Sequence, residues 1–141
     1  MENCIFCKIS KGEIPSGKVF ENEKVFVFLD INPLTKGHCL IIPKQHFENI
    51  FDINEEILRE ILKTAKELSK KMKSNLGATG VQLVNASGKD AEQSVMHFHL
   101  HLIPRYENDG LEMNKWWQSK ASKPSTEDLK KIAEEIKQKA N

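Results

Sequence analysis

The chain has 141 residues, one domain's worth, and its 39% apolar and 29% charged residues are the balance of a globular protein rather than a disordered or fibrous one. Lys and Arg (21) against Asp and Glu (20) leave a formal net charge of +1, without the basic excess a nucleic-acid binder would carry. The longest apolar runs, Val25 to Leu29 and Cys39 to Ile42, are far short of a membrane span, and Met1-Glu2-Asn3-Cys4 has neither the basic nor the apolar region of a secretory signal. Three cysteines, an odd number without such a signal, argue for a reduced compartment, so a cytoplasmic location is expected.

Val19 to Asn22 and Lys24 to Leu29 are short β-branched and aromatic runs around a polar Glu-Asn-Glu, the pattern of a hairpin. Asp30-Ile31-Asn32-Pro33 breaks the second strand with turn chemistry, Gly37 closes the loop, and His38 to Pro43 reads as the next strand. Asp52 with Glu55 three residues later predicts a capping box. Ile57, Leu58, Ile61, Leu62, Ala65, Leu68 and Met72 then recur at helical spacing up to a stop at Gly77. Val81 to Val84 reads as a strand, Asn85 to Glu92 as a polar loop, and Val95 to Ile103 as a long alternating strand. In the tail, Ser125-x-x-Asp128 starts a last helix with Leu129, Ile132, Ala133 and Ile136 as its apolar stripe. Strands in hairpins and separate helices indicate an α+β class with an antiparallel sheet, one long helix and a C-terminal helix.

His97-Phe98-His99-Leu100-His101-Leu102-Ile103 carries the chemistry. Strand side chains alternate, which puts three imidazoles on one face and Phe98, Leu100 and Leu102 on the other. Alternate residues lie about 6.6 Å apart, so neighbouring rings can address one ligand group. Two chemistries suit the pattern: a catalytic metal held by three histidines, or attack on phosphorus or carbon by one neutral imidazole while another steadies the developing charge. Spacing alone does not choose. Cys4-x-x-Cys7 is equally open on its own, as a redox pair or as half a zinc site.

Further segments match in order: Cys4-Ile-Phe-Cys7, Phe28-Leu-Asp30-Ile31-Asn-Pro33, Lys36-Gly-His38-Cys-Leu-Ile-Ile-Pro43-Lys-x-His46, Asn85, Gln93-Ser94-Val95 and His97-Phe-His-Leu-His101-Leu-Ile-Pro104-Arg105. With them the chain resembles the histidine-triad (HIT) nucleotide hydrolase and transferase family over nearly its full length, in particular the zinc-bearing branch that includes purine nucleoside phosphoramidases. The resemblance implies hydrolysis of nucleotide conjugates at the α-phosphorus, a HIT fold spanning residues 1–141 (a 1–110 core and a helical 111–141 extension), and a homodimer whose sheets join. It implies that His99 is the nucleophile, His101 the donor to the phosphoryl oxygens and His38 their support from the adjacent strand. Asp30 falls at the ribose position, Ile31 at the sugar and base pocket, and Asn85, Gln93 and Ser94 in the nucleotide-binding loop. The zinc-bearing members hold one structural Zn²⁺ per chain with a Cys pair and two histidines, which here are Cys4, Cys7, His46 and His97.

Two departures stand out. The loop after Asn85 is one residue longer than the family's commoner version, and Glu92 stands where many members have Gly, a carboxylate where backbone would approach phosphate. Trp116-Trp117 suits either a core or an interface. The rival expectations are a nucleotide-binding regulatory module and a His₃-metal hydrolase; neither nucleic acid nor a membrane is expected as a partner.

Overall fold

A computed structural model of the chain describes residues 3–138. The first two apolar runs pair as expected: β1 (Lys18–Glu21) lies antiparallel to β2 (Val25–Leu29), and the Asn22 side chain closes the turn by accepting from the Lys24 and Val25 N–H groups at 2.9 Å each. β2 pairs with β3 (Cys39–Pro43), β3 with β5 (Leu100–Arg105), and β5 with β4 (Gly80–Val84), all antiparallel, giving the order β1-β2-β3-β5-β4.

The sheet is buried on two faces, which explains why β2 and β3 read as continuous apolar runs rather than alternating ones. On one face Val25, Val27, Cys39, Ile41, Leu100 and Leu102 pack against Ile57, Ile61, Ala65, Leu68 and Met72 of the long helix α2 (Glu55–Leu76). On the other, Phe26, Phe28, Leu40 and Ile42 meet Phe6 and Ile9 of a short helix, α1 (Ile5–Ser10). α1 is absent from the sequence reading because six residues are too few to show a helical period.

α2 ends at Gly77 in the left-handed conformation (φ 73°), as its composition predicts. It does not begin at an Asp52 box. Asn54 is the cap, its side chain accepting from the Ile57 N–H at 2.9 Å, while Asp52 accepts from the N–H groups of Glu48 and Asn49 and folds its own loop. Asp and Asn both satisfy orphan N–H groups, and the chain uses each on a different turn.

The strand expected over Val95 to Ile103 is shorter. Ladder pairing starts at Leu100, and a 3₁₀ turn at Lys89–Ala91 precedes the histidines. Phe98 N–H donates to the Phe47 carbonyl at 2.6 Å instead of to a neighbouring strand. Alternation nevertheless survives, with Phe98 in the α2 core and His97 and His99 on the α1 side.

The chain divides into two compact units, with the boundary in sequence between Asp109 and Gly110. The second contains α3 (Met113–Lys120), not foreseen, and α4 (Thr126–Lys137), capped by Ser125 accepting from the Asp128 N–H. Its Trp116, Trp117, Leu129, Ile132 and Ile136 are exposed.

Candidate active site

Strand register assembles the first cluster. Leu29 pairs with Cys39, so Asp30 and His38 continue that ladder by one step, and the Asp30 N–H donates to the His38 carbonyl at 3.0 Å. Leu40 pairs with His101, which places His38 diagonally across from His101 on the same face. The rings meet with His38 Nε2 2.9 Å from His101 Nδ1, and the Asp30 Oδ2 lies 3.6 Å and 3.9 Å from those two atoms.

Hydrogen-bond partners assign the ring hydrogens of His38, His97, His99 and His101. The Leu34 N–H donates to His38 Nδ1 at 3.0 Å, so the His38 hydrogen sits on Nε2 and is donated to His101 Nδ1. The His101 hydrogen is therefore on Nε2. His99 Nδ1 lies 2.8 Å from the His97 carbonyl, an acceptor only, so His99 donates there and keeps the lone pair on Nε2. His97 Nε2 donates to the Pro43 carbonyl at 2.8 Å, which leaves its lone pair on Nδ1. The His38–His101 pair is neutral near pH 7. Burial first, then the charges of His99 and His38, pull His101 from its usual 6.5 down to about 4, against the opposing Asp30. Burial likewise lowers His38, with Asp30 acting the other way.

Four donors form a second cluster. Cys4 Sγ is 3.2 Å and Cys7 Sγ 3.5 Å from His97 Nδ1, and Cys7 Sγ is 3.4 Å from His46 Nδ1. All four donor atoms lie within 4.8 Å of one another. Metal–sulfur and metal–nitrogen bonds of about 2.3 Å and 2.1 Å at tetrahedral angles put S and N about 3.6 Å apart. The spacing and the soft donors fit Zn²⁺. His97 is an ideal neutral ligand, held to about 4 chiefly by burial, while burial and the adjacent Cys4 push the Cys7 thiol up, so its thiolate needs a cation. Cys4 caps α1, accepting from the Cys7 N–H, so the Cys-x-x-Cys pair lies at the start of this helix. No disulfide forms; all three cysteines are free. Phe6, between the two, stacks edge-on against His97 at 5.9 Å and His99 at 5.1 Å, joining the two clusters.

The loop residues are placed differently from one another. Asn85 Nδ2 donates to the His99 carbonyl at 2.9 Å. Gln93 is buried with its amide engaged by the loops themselves: Oε1 accepts from the Gly88 N–H, and Nε2 donates to the carbonyls of Glu48 and Val95. Ser94 is exposed, lining an open depression of about 790 Å³ with Cys4 and His46. Ile31 is 91% exposed in the turn after Asp30. Glu92 is exposed and left-handed (φ 63°), a conformation in which a side chain is strained.

The HIT domain family model matches residues 11–108. The chain belongs to the HIT domain family. It is 41% identical over 136 residues to "Protein hit" of Bacillus subtilis, covering 96% of this chain and 92% of that one. The adenosine 5'-monophosphoramidase HNT1 of Candida albicans is 38% identical over 140 residues, covering 96% of this chain and 90% of that one. Among solved structures, a Zn-bound histidine triad family protein from Mycobacterium smegmatis superposes with a TM-score of 0.76 at 31% identity, covering 90% of this chain and 87% of that one.

Within this HIT fold the first cluster, Asp30, His38 and His101, is unsuited to a metal. The Leu34 N–H occupies the His38 lone pair at Nδ1, and His38 Nε2–H occupies that of His101. The site also rests on groups the sequence reading did not single out: the Leu34 N–H, the carbonyls of Pro43 and Phe47, the Phe6 ring and Ser87. Only Phe6 left a trace in the sequence, as the aromatic inside Cys4-x-x-Cys7.

Proposed function

We propose that the protein hydrolyses nucleotide conjugates at the α-phosphorus, with purine nucleoside phosphoramidates as first substrates and dinucleoside polyphosphates as second, through a nucleotidyl-His99 intermediate. It is an enzyme, a hydrolase of the histidine-triad type. The observation that carries the mechanism is the 2.8 Å bond from His99 Nδ1 to the His97 carbonyl, which leaves Nε2 with its lone pair. Attack by Nε2 forms the N–P bond as the bond from phosphorus to the leaving group breaks, and the leaving group departs with its electron pair. The ring becomes cationic, and its Nδ1–H donates more strongly to the His97 carbonyl. His101 Nε2–H would meet the negative charge developing on the phosphoryl oxygens. Water then forms the P–O bond as the N–P bond breaks, releasing nucleoside monophosphate and neutral His99, and the proton that water loses balances the one the departing group takes up from solvent.

Asp30 keeps one carboxylate oxygen on the Asn32 N–H at 2.8 Å and has Oδ2 for a ribose hydroxyl. Ser94 and the second Asn85 N–H supply further donors to phosphate, and the buried Gln93 shapes their loop. Zn²⁺ at Cys4, Cys7, His46 and His97 would cross-link the N-terminal helix to the histidine segment, a structural role. A homodimer is part of the reading, supported by β4 at the end of the sheet with Leu83 and Val84 partly exposed. So is a cytoplasmic location, supported by the three free thiols; no described helix is long and apolar enough to cross a membrane.

The test is rapid quenching with labelled adenosine phosphoramidate. An acid-labile, base-stable adduct should form on the peptide containing His99, and His99→Ala should abolish turnover while binding nucleotide. Near-normal turnover by His99→Ala, or loss of chemistry on chelation while the fold persists, would favour the metal-hydrolase reading. Binding without turnover in the wild type would favour a regulatory module.

A further inference from the structure

The His97–His99 segment lies outside the sheet ladder, since strand pairing of β5 begins at Leu100. The nucleophile's own carbonyl therefore finds its donor elsewhere, in the side chain of Asn85, the residue immediately after β4. Asn85 is itself held. Its Oδ1 accepts from the Ser87 hydroxyl at 2.7 Å, and that hydroxyl oxygen accepts from the Ile50 N–H at 3.0 Å.

The two ends of this chain of bonds are backbone groups of opposite kind. An N–H can only donate and a C=O can only accept. Every hydrogen between them is thereby given a direction: Ile50 N–H to Ser87, Ser87 O–H to Asn85 Oδ1, Asn85 Nδ2–H to the His99 carbonyl. The amide cannot be reversed without breaking two bonds. One N–H of Asn85 is left uncommitted among the described residues, so towards a ligand the side chain is chiefly a donor, suited to an anionic oxygen.

We propose that Ser87 is a positioning residue for His99 and for the free Asn85 N–H, a role that rests on the reading of His99 as nucleophile. It holds the Asn85 amide from behind, and through it fixes the peptide that carries the attacking ring. Ser87 is bonded to Asn85 and to Ile50, and its effect on His99 runs through the Asn85 amide. Without its hydroxyl, Asn85 Oδ1 loses its donor, the Ile50 N–H loses its acceptor, and the amide is tethered through the His99 carbonyl alone. Small displacements of an attacking group are costly for the chemical step and matter less for binding, which Asp30 anchors elsewhere.

The experiment compares Ser87→Ala and Ser87→Thr with wild type, using adenosine phosphoramidate kinetics and NMR of the Asn85 side-chain amide and the His99 carbonyl carbon. Ser87→Ala should lower kcat about tenfold with KM changed less than about twofold, and Ser87→Thr should restore most of the loss. In Ser87→Ala the Asn85 NH₂ signals and the His99 carbonyl signal should move and broaden, and Ser87→Thr should return them. A Ser87→Ala enzyme with wild-type kcat overturns the proposal. So does a loss of kcat with unmoved Asn85 and His99 signals, or one that Ser87→Thr does not repair. If the wild type turns over no nucleotide phosphoramidate, the proposed reaction fails. The NMR comparison then still judges the relay, and unmoved signals in Ser87→Ala refute it.

Discussion

His38 Nε2 stands 2.9 Å from His101 Nδ1, and the Leu34 N–H on the far nitrogen of His38 decides that the hydrogen between the rings belongs to His38. One backbone donor thus sets the tautomer of a ring beyond the one it touches, and with it the donor that His101 turns outward. His101→Ala should lower kcat by roughly 10² to 10³-fold, the usual loss for one charge-stabilising donor. His38→Ala should cost less, about tenfold, because His101 remains but samples both tautomers. Nitrogen-15 spectra of the imidazoles check this directly. A single His101 tautomer in both wild type and His38→Ala would show that His38 is not what selects it.

The same burial makes the fold sensitive to acid. In the unfolded chain the His101 imidazole takes its proton near 6.5, whereas the folded protein holds it off until about 4. Between those values the unfolded chain binds more protons, so stability is full above about 6.5 and declines as pH falls toward 4. His38, also lowered, acts in the same direction. Melting temperature against pH should show this slope, and His101→Gln should flatten it. An unchanged slope in that variant would place the acid sensitivity in other groups.

Metal analysis of the purified protein should find about one zinc per chain. Cys7→Ser should lose it and melt roughly 5–10 °C lower, because Cys7 lies beside both ligand histidines. Wild-type protein that is metal-free and equally stable would refute the zinc assignment.

Glu92 holds its place at the cost of backbone strain. At φ 63° a side chain costs about 1–2 kcal/mol, and glycine would remove that while adding about 0.5–1 kcal/mol of unfolded-state entropy. Glu92→Gly should therefore be neutral or stabilising by up to about 1.5 kcal/mol, measured by urea unfolding. Destabilisation would mean that the carboxylate makes an interaction the geometry does not reveal.

The Ile57-to-Met72 periodicity, the Gly77 stop, the Ser125 cap and the β2 and β3 runs were legible because each is a local pattern in which a few neighbouring side chains state the backbone geometry. Asp52 misled because Asn54, two residues on, offers the same capping chemistry, and only the path of the loop distributes the two roles. The first half of the expected last strand, Val95 to His99, misled for a related reason. Side chains alternate there as in a strand, but pairing needs a neighbour, and Phe47 takes the Phe98 N–H first.

By itself the sequence determined the α+β class of the fold, and it supplied the candidate side chains for the proposed chemistry: the histidines of His97-x-His99-x-His101, His38 and His46, the Cys4-x-x-Cys7 pair and Asp30. Residue types and short spacings are properties of the chain and survive without any coordinates. What only the tertiary structure decided is the state in which each of those side chains is held. An imidazole has two nitrogens, either of which can carry the hydrogen; Leu34, His97 and Pro43 decide between them in space, leaving the lone pair of His97 facing the cysteines and that of His99 without a hydrogen-bond donor among the described residues. Those partners are backbone groups, which every residue possesses, so no sequence pattern distinguishes the ones that act. Only the long-range register of the strands and loops selects them.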